Sequence, residues 1–139
     1  MRRFMRTSVA VALAGLLMPG LLAAQGGLSR RDGQGPVAVT VTLIEAAAAS
    51  SPVKVKVSLD THSVALDGIK FEDVVALGGP DGAAIAPTAV EQAKGAGHHR
   101  EAVLTFPSLP AGARDVRIAV RNVGGVEERS FTWELPVGR

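Results

Sequence analysis

In the stretch VKVKVSL, Val53–Leu59, apolar side chains alternate strictly with lysine or serine. Successive side chains of an extended chain point to opposite faces of a sheet, so this pattern predicts a half-buried β-strand. The same alternation returns in VAVTVTL, EAVLTF, DVRIAVRNV and RSFTWEL, at residues 37–43, 101–106, 115–123 and 129–135. A chain with this repeated period of two buries one face of each strand, which favours sheets packed face to face.

Shorter apolar segments at Val64–Leu66, Val74–Leu77 and Ile85–Val90 add further strands, and no segment shows a sustained helical period. Glycine, proline and aspartate separate the segments at the spacing of about 8–12 residues that is typical of antiparallel sandwiches. The sequence therefore predicts an all-β fold, an immunoglobulin-like antiparallel β-sandwich of seven to eight strands. A small β-barrel is the alternative.

The first 24 residues have the features of a cleaved secretory signal peptide. Arg2, Arg3 and Arg6 form a basic region, Val9–Leu22 is apolar, and the small residue Ala24 precedes the cleavage point that we predict. An uncleaved membrane anchor is the alternative, although the apolar stretch is shorter than the roughly 20 residues of a spanning helix and contains a Pro-Gly pair. The paired arginines leave general secretory and twin-arginine export both open.

We expect three segments along the chain: a signal peptide at residues 1–24, a flexible glycine-rich tether at 25–35, and a single β-sandwich domain at 36–139. The predicted location is outside the cytoplasm, either periplasmic or extracellular. After cleavage we expect no insertion into a membrane.

The net charge of +2 comes from 15 basic and 13 acidic residues among 139. Three of the arginines lie in the signal peptide, so the remaining chain carries 12 basic and 13 acidic residues. A near-neutral domain has no electrostatic footprint for nucleic acid, so we expect no nucleic-acid partner.

The sequence contains no cysteine and none of the common phosphate-binding, nucleophile-elbow or zinc-protease motifs. Thiol nucleophiles and blue-copper centres are therefore excluded, because both require a cysteine thiolate. Ser63 follows His62 directly, but neighbouring side chains of an extended chain point to opposite sides. These observations favour a protein that is not an enzyme.

The three histidines are the one remaining candidate constellation. His62 follows the strand at Val53–Leu59, and His98 and His99 precede the strand at Glu101–Phe106. If these two strands are antiparallel neighbours, as the second and fifth strands of an immunoglobulin-like sandwich are, the histidines share one end of the domain. With the carboxylate of Asp60 they then form a candidate Zn²⁺ or Cu²⁺ site.

A structural interpretation of the same residues stays open. His98 and His99 are adjacent and do not easily bind one ion, while Asp60 and Thr61 are common turn residues. Thr61 and Arg100 are accordingly predicted to belong to a structural or binding loop.

Two further features have simple interpretations. Trp133 alternates with polar neighbours and is predicted to be a core residue. Glu127, Glu128 and Arg129 follow the turn at Gly124-Gly125, and we interpret them as a solvated hairpin tip.

Three stretches, LDTHSVALD, GHHREAVLTFP and VRNVGGVEERSFTWEL, span most of the domain at residues 59–67, 97–107 and 120–135. In these the chain resembles a family of small exported bacterial domains of uncharacterised function. The resemblance implies a β-sandwich and singles out His62, His98, His99 and Arg100. A tryptophan shortly before the histidine pair belongs to the family pattern, and AVEQAKGAG has none.

The sequence thus favours an exported, non-enzymatic β-sandwich that acts as a binding or structural module of the cell envelope. Its expected partner is a protein, a glycan or a metal ion. The alternative function is binding of a divalent transition metal at one end of the sandwich.

Overall fold

The computed structural model describes residues 28–45 and 51–135. The predicted signal peptide lies outside the described residues, as do residues 25–27 of the predicted tether. The described elements, in chain order, are β1 (Ser29–Asp32), β2 (Val37–Glu45), β3 (Pro52–Thr61), α1 (Phe71–Val74), β4 (Val75–Gly78), a 3₁₀ turn (Pro80–Gly82), β5 (Ala84–Ile85), β6 (Ala89–Ala96), β7 (His99–Ser108), β8 (Asp115–Val123) and β9 (Val126–Glu134).

The strands form two antiparallel sheets that are not closed into a barrel, which confirms the predicted sandwich over the alternative. One sheet has the order β1-β2-β3-β7-β6 and the other has the order β5-β4-β8-β9. Strands β2, β3, β7 and β6 follow the A-B-E-D order of an immunoglobulin-like sandwich, and β4, β8 and β9 follow its C-F-G order. Strand β1 extends the first sheet beside β2, and β5 extends the second beside β4.

The alternating residues of both sheets meet in one core. In β3, residues 53, 55, 57 and 59 are fully buried, as the period of two predicts. The cluster of buried apolar side chains consists of Val37, Val39, Val41, Leu43, Val53, Val55, Val57, Leu59, Leu66, Phe71, Val75, Leu77, Ala102, Leu104, Phe106, Leu109, Val116, Ile118, Val120, Val123, Phe131 and Trp133. Burial of this apolar surface is the main favourable contribution to folding.

Three elements differ from the sequence-based expectation. Strand β1 lies inside the segment 25–35 that was predicted to be a tether. The strand predicted at Ile85–Val90 is two strands, β5 ending at Ile85 and β6 beginning at Ala89, so the described chain contains nine strands rather than seven or eight. Val64–Leu66 was predicted as a strand but lies in a loop, in which the amide of Leu66 donates to the carbonyl of Gly97 and its own carbonyl accepts from Ile69. Within residues 28–45 and 51–135, no helix has the length and hydrophobicity needed to cross a membrane.

The β8–β9 hairpin has the two-residue turn that its sequence predicts. Gly124 and Gly125 have φ angles of +62° and +75°, as a type I′ turn requires. A Cβ atom on Gly124 would lie 2.9 Å from the side chain of Val37, so the turn packs directly against the start of β2.

Arg129 is buried, whereas the sequence analysis placed it in a solvated hairpin tip. Arg129 is 1% exposed. Its guanidinium donates to the backbone carbonyls of Val123 at 2.8 Å, Gln34 at 2.6 Å and Val37 at 2.9 Å. Its Nε also lies 3.4 Å from Oδ1 of Asp32. The prediction was wrong because charged residues in strands usually face water. The strand parity was informative, however, since Phe131 and Trp133 on the same face are core residues.

Strand β1 and strand β9 meet along the side of the sandwich where Arg129 lies. The indole Nε1 of Trp133 donates to the carbonyl of Leu28 at 3.2 Å. Nε of Arg30 donates to the carbonyl of Thr132 at 2.8 Å, and its guanidinium lies 5.6 Å from the centroid of the Trp133 ring. Side-chain contacts from β1 thus connect the two sheets at this side, and the predicted core position of Trp133 is confirmed.

We expect Arg129→Ala to lower the free energy of unfolding by about 3 kcal/mol, because it leaves the buried carbonyl acceptors without their donor and Asp32 without its ion-pair partner. Urea unfolding followed by circular dichroism measures this change. Arg117→Ala, an exposed arginine on the neighbouring strand, is the matched control and should change stability by less than about 0.5 kcal/mol. Equal effects of the two substitutions would contradict a structural role for Arg129.

Candidate functional site

The end of β3 meets the start of β7, as the histidine prediction requires. Asp60 and His99 are cross-strand partners, and the amide of Thr61 donates to the carbonyl of His98 at 3.0 Å. The expectation that these two strands are antiparallel neighbours is confirmed. Asp60, Thr61, His98 and His99 therefore lie at one end of the five-stranded sheet.

The stretch Gly95-Ala96-Gly97 is part of a tight hairpin. Strand β6 continues to Ala96, which pairs with His99, so the β6–β7 turn contains only Gly97 and His98. Gly95 has a φ of +89°, and a Cβ atom there would lie 2.2 Å from the carbonyl oxygen of His99. The glycine is required by this close approach of the two strands, which sets the position of His99.

The imidazole of His99 lies between two carboxylates on the outer face of the sheet. Its Nδ1 is 2.5 Å from Oδ1 of Asp60, and its Nε2 is 3.7 Å from Oε2 of Glu101. About half of the His99 side chain is exposed. Both ring nitrogens thus face acidic oxygens, an arrangement that orients the ring and fixes the carboxylate of Asp60.

Glu101 connects His99 to two lysines. Its carboxylate is 2.8 Å from Nζ of Lys94 and 3.8 Å from Nζ of Lys56. The hydrogen bond from Lys94 lowers the pKa of Glu101 below its ordinary value of 4.5, and the charges of Lys56 and His99 act in the same direction against partial desolvation. A bulge in β6, where Gln92 has a φ of +52°, brings Lys94 opposite Glu101.

Thr61 and Arg100 hold the loop between β3 and α1. Oγ1 of Thr61 donates to the carbonyl of Pro36 at 2.7 Å and accepts from the amides of Ser63 and Val64 at 3.2 and 3.3 Å. This side chain is buried and closes the turn that follows β3.

Arg100 faces inward, on the same side of β7 as the core residues. One guanidinium nitrogen donates to the carbonyl of Leu66 at 3.0 Å and also to the carbonyl of Ile69, and the group lies 5.2 Å from the ring centroid of Phe71. Its carbonyl acceptors and its aromatic contact make it a structural residue of the 62–70 loop.

His62 and His98 do not join His99 in a metal-binding arrangement. Both residues are exposed, and the contribution of His98 is its backbone carbonyl. Among the residues that the structure describes, no group of three or more histidine, aspartate or glutamate side chains is arranged to hold a metal ion. Within the predicted ligand set, the side chains of Asp60 and His99 are in direct contact.

A hollow of about 300 Å³ opens beside Asp60, between the β1–β2 turn and the end of β3. The residues that line it are Arg31, Gly33, Gly35, Pro36, Ala38, Asp60, Thr61 and His62. Three of these were candidates in the sequence analysis. The hollow extends that set with a guanidinium and several small residues from the segment that was predicted to be a tether and from the start of β2.

The hollow could not be predicted from periodicity. Gly33 and Gly35 fall in a glycine-rich polar segment, and the residues SRRD of β1 show no apolar alternation. One residue in the sequence does point to a hollow here. Ala38 faces outward from β2, and its small side chain leaves space beside its cross-strand partner Asp60.

No protein-family model, no curated protein and no solved structure matches the chain.

We expect Gly95→Ala to destabilise the protein by more than about 1 kcal/mol, since the added methyl group collides with the backbone of His99 and the residue has a positive φ. Gly68→Ala is the control, because a Cβ atom on Gly68 meets no atom within 4 Å. Thermal unfolding of the two variants provides the measurement. Equal midpoints would show that the hairpin tolerates a side chain at residue 95.

We expect Glu101 to make stability depend on pH in the acid range. Because its pKa is lower in the folded protein than its ordinary value of 4.5, it stabilises the fold above that value, and the contribution is lost as the pH falls through the lowered pKa. Glu101→Gln should therefore lower the urea midpoint at pH 7 and lower it less at pH 3. Glu127→Gln in the exposed hairpin is the control. A deficit of Glu101→Gln that stays the same at both pH values would contradict this role.

Proposed function

We propose that the protein is an exported, non-enzymatic binding module of the cell envelope. The observation that carries the proposal is the hollow beside Asp60, whose carboxylate is held by His99 at 2.5 Å. A polar group that is fixed before the ligand arrives costs less ordering on binding, which is what a recognition site requires. The basic and apolar regions of the first 24 residues support export.

The surroundings of His99 favour binding over catalysis. A histidine that acts as a general base in nucleophilic catalysis has an aspartate on one ring nitrogen and a hydroxyl or thiol on the other. Nδ1 of His99 faces Asp60, but Nε2 faces the carboxylate of Glu101 at 3.7 Å. At 3.7 Å this carboxylate makes no hydrogen bond with the ring, and it supplies no hydroxyl or thiol that the ring would activate.

The second candidate function is binding of Zn²⁺ or Cu²⁺ by His62, His98, His99 and Asp60. The observation in its favour is the contact between the imidazole of His99 and the carboxylate of Asp60. Against it, no group of three or more histidine, aspartate or glutamate side chains within residues 28–45 and 51–135 is arranged to hold a metal ion.

Export is tested by expressing the full chain in a Gram-negative host and measuring the intact mass in each cell fraction. We expect the periplasmic or extracellular fraction to contain a protein that begins at Gln25. A variant with Leu16→Arg and Leu17→Arg, which interrupts the apolar region, should remain in the cytoplasm at full length. A full-length wild-type protein in the membrane fraction would indicate the uncleaved anchor, and one in the cytoplasm would contradict export.

Metal binding is tested by thermal unfolding in chelator and then with Zn²⁺ or Cu²⁺. A ligand that binds only the folded state stabilises it by about 2.7 kcal/mol at a hundredfold excess over Kd. We expect no rise in the midpoint with either ion, because the described residues contain no group of three or more histidine, aspartate or glutamate side chains arranged to hold a metal. A rise that disappears in the His98→Ala/His99→Ala double variant would establish the metal site instead.

A further inference from the structure

The floor of the hollow beside Asp60 is made of small residues. Ala38 of β2 is the cross-strand partner of Asp60, so a small methyl side chain lies directly next to the carboxylate. A Cβ atom on Gly33 would meet no atom within 4 Å, which shows open space above that residue. Gly35 has a φ of +67° and packs closely against the carbonyl oxygen of Gly124. The volume of about 300 Å³ is at the lower limit of small-molecule sites.

Two groups of opposite charge line this hollow. Asp60 provides a carboxylate, and Arg31 of β1 provides a guanidinium. Each is anchored from outside the hollow, Asp60 by Nδ1 of His99 at 2.5 Å and Arg31 by a long hydrogen bond to Oγ1 of Thr40 at 3.4 Å. A carboxylate has about four acceptor sites and His99 occupies one, while a guanidinium has five donors and Thr40 takes one.

The pairing of charges selects the class of ligand. A ligand with a single charge offers a charged partner to only one of the two groups, whereas a ligand with one anionic and one cationic group pairs with both. The residues lining the hollow, all within the described chain, include no phenyl or indole ring on which a sugar would stack. The size and the charges together fit a small zwitterion.

We propose that the hollow binds the zwitterionic end of an amino acid, with its carboxylate on Arg31 and its ammonium group on Asp60. His62 lies at the margin of the hollow, where it contacts whatever extends from the α-carbon. This inference deepens the proposed function and rests on it, since it names the ligand class of the same site. A free amino acid carries both charges on one α-carbon, whereas a short peptide carries the same two charges at its opposite ends, farther apart.

The test is a titration of the ¹⁵N-labelled protein with three probes that differ by one charge each. L-alanine carries both charges, L-alaninamide lacks the carboxylate, and N-acetyl-L-alanine lacks the ammonium group. We expect L-alanine to shift the amide signals of Gly33, Gly35 and Ala38 with a Kd on the order of 1 mM. Each single-charge probe should bind several-fold more weakly, because either Arg31 or Asp60 then gains no charged partner from the ligand.

Two substitutions assign each charge to its partner. In Arg31→Gln the difference between L-alanine and L-alaninamide should disappear, while the difference from N-acetyl-L-alanine remains. In Asp60→Asn the difference between L-alanine and N-acetyl-L-alanine should disappear, while the difference from L-alaninamide remains. This crossed pattern depends on recognition and would not follow from a general loss of structure.

A third substitution fills the hollow without altering either charge. Gly33→Leu places a side chain in the open space and should abolish the shifts, whereas Gly68→Leu, at an equally open glycine outside the hollow, should leave them unchanged. Titration with L-alanyl-L-alanine, whose two charges lie farther apart, distinguishes the two sources: tighter binding than L-alanine indicates a short peptide that spans both groups, and weaker binding indicates a free amino acid.

The inference is overturned if L-alanine produces no saturable shifts around the hollow, or if all three probes bind equally. Neither result affects the cell fraction in which the protein is found or its amino-terminal residue, so a failed titration leaves the proposed export intact. Conversely, a cytoplasmic location would contradict the proposed function while the binding of L-alanine in solution stayed measurable.

Discussion

A buried guanidinium organises the side of this sandwich on which the candidate site lies. Arg129 donates to carbonyls of the β1–β2 turn at Gln34 and Val37 and of the β8–β9 hairpin at Val123. Taking a cation out of water costs several kcal/mol, so the arrangement persists only because these acceptors and Asp32 compensate for the lost hydration. The backbone amide of Gln34, then its side chain and the charge of Arg129, lower the pKa of Asp32, which keeps the partner ionised.

The turn that Arg129 holds is also one wall of the hollow. Within this turn, the carbonyl of Gln34 accepts a hydrogen bond from Arg129, as does the carbonyl of Val37 just after it. Gly33, Gly35 and Pro36 line the hollow together with Asp60. His99 fixes that carboxylate from the neighbouring strand, and the close approach of the chain at Gly95 fixes His99. The proposed recognition site is thus lined by residues of β1, β2 and β3, and its order depends on a contact between the two sheets that lies beneath it.

Periodicity predicted the parts of the fold that burial alone determines. The alternation in Val53–Leu59 identifies β3 and its buried face, because every second side chain must enter the core. Strand β1 was missed because its residues SRRD bury little and are held by pairing with β2 and by polar contacts to β9. Arg100 and Arg129 lie at positions of their strands whose side chains point into the sandwich. A hydrophobic pattern places charged residues on the solvent face, so it gave no indication that these two arginines point inward. The predicted histidine cluster reduces to Asp60 and His99, since proximity in topology does not fix side-chain direction.

The most direct test of this account is residue-resolved hydrogen exchange in Arg129→Met, a substitution that retains apolar volume in place of the guanidinium. The amides of Gln34 and Val37 should lose protection in the folded variant, while those of the β3–β7 ladder, such as Val55 and Leu104, keep theirs. That result would show that the buried guanidinium orders the wall of the site. Unchanged protection of Gln34 and Val37 would contradict the account, because the turn would then be held by its own backbone and by Asp32 alone.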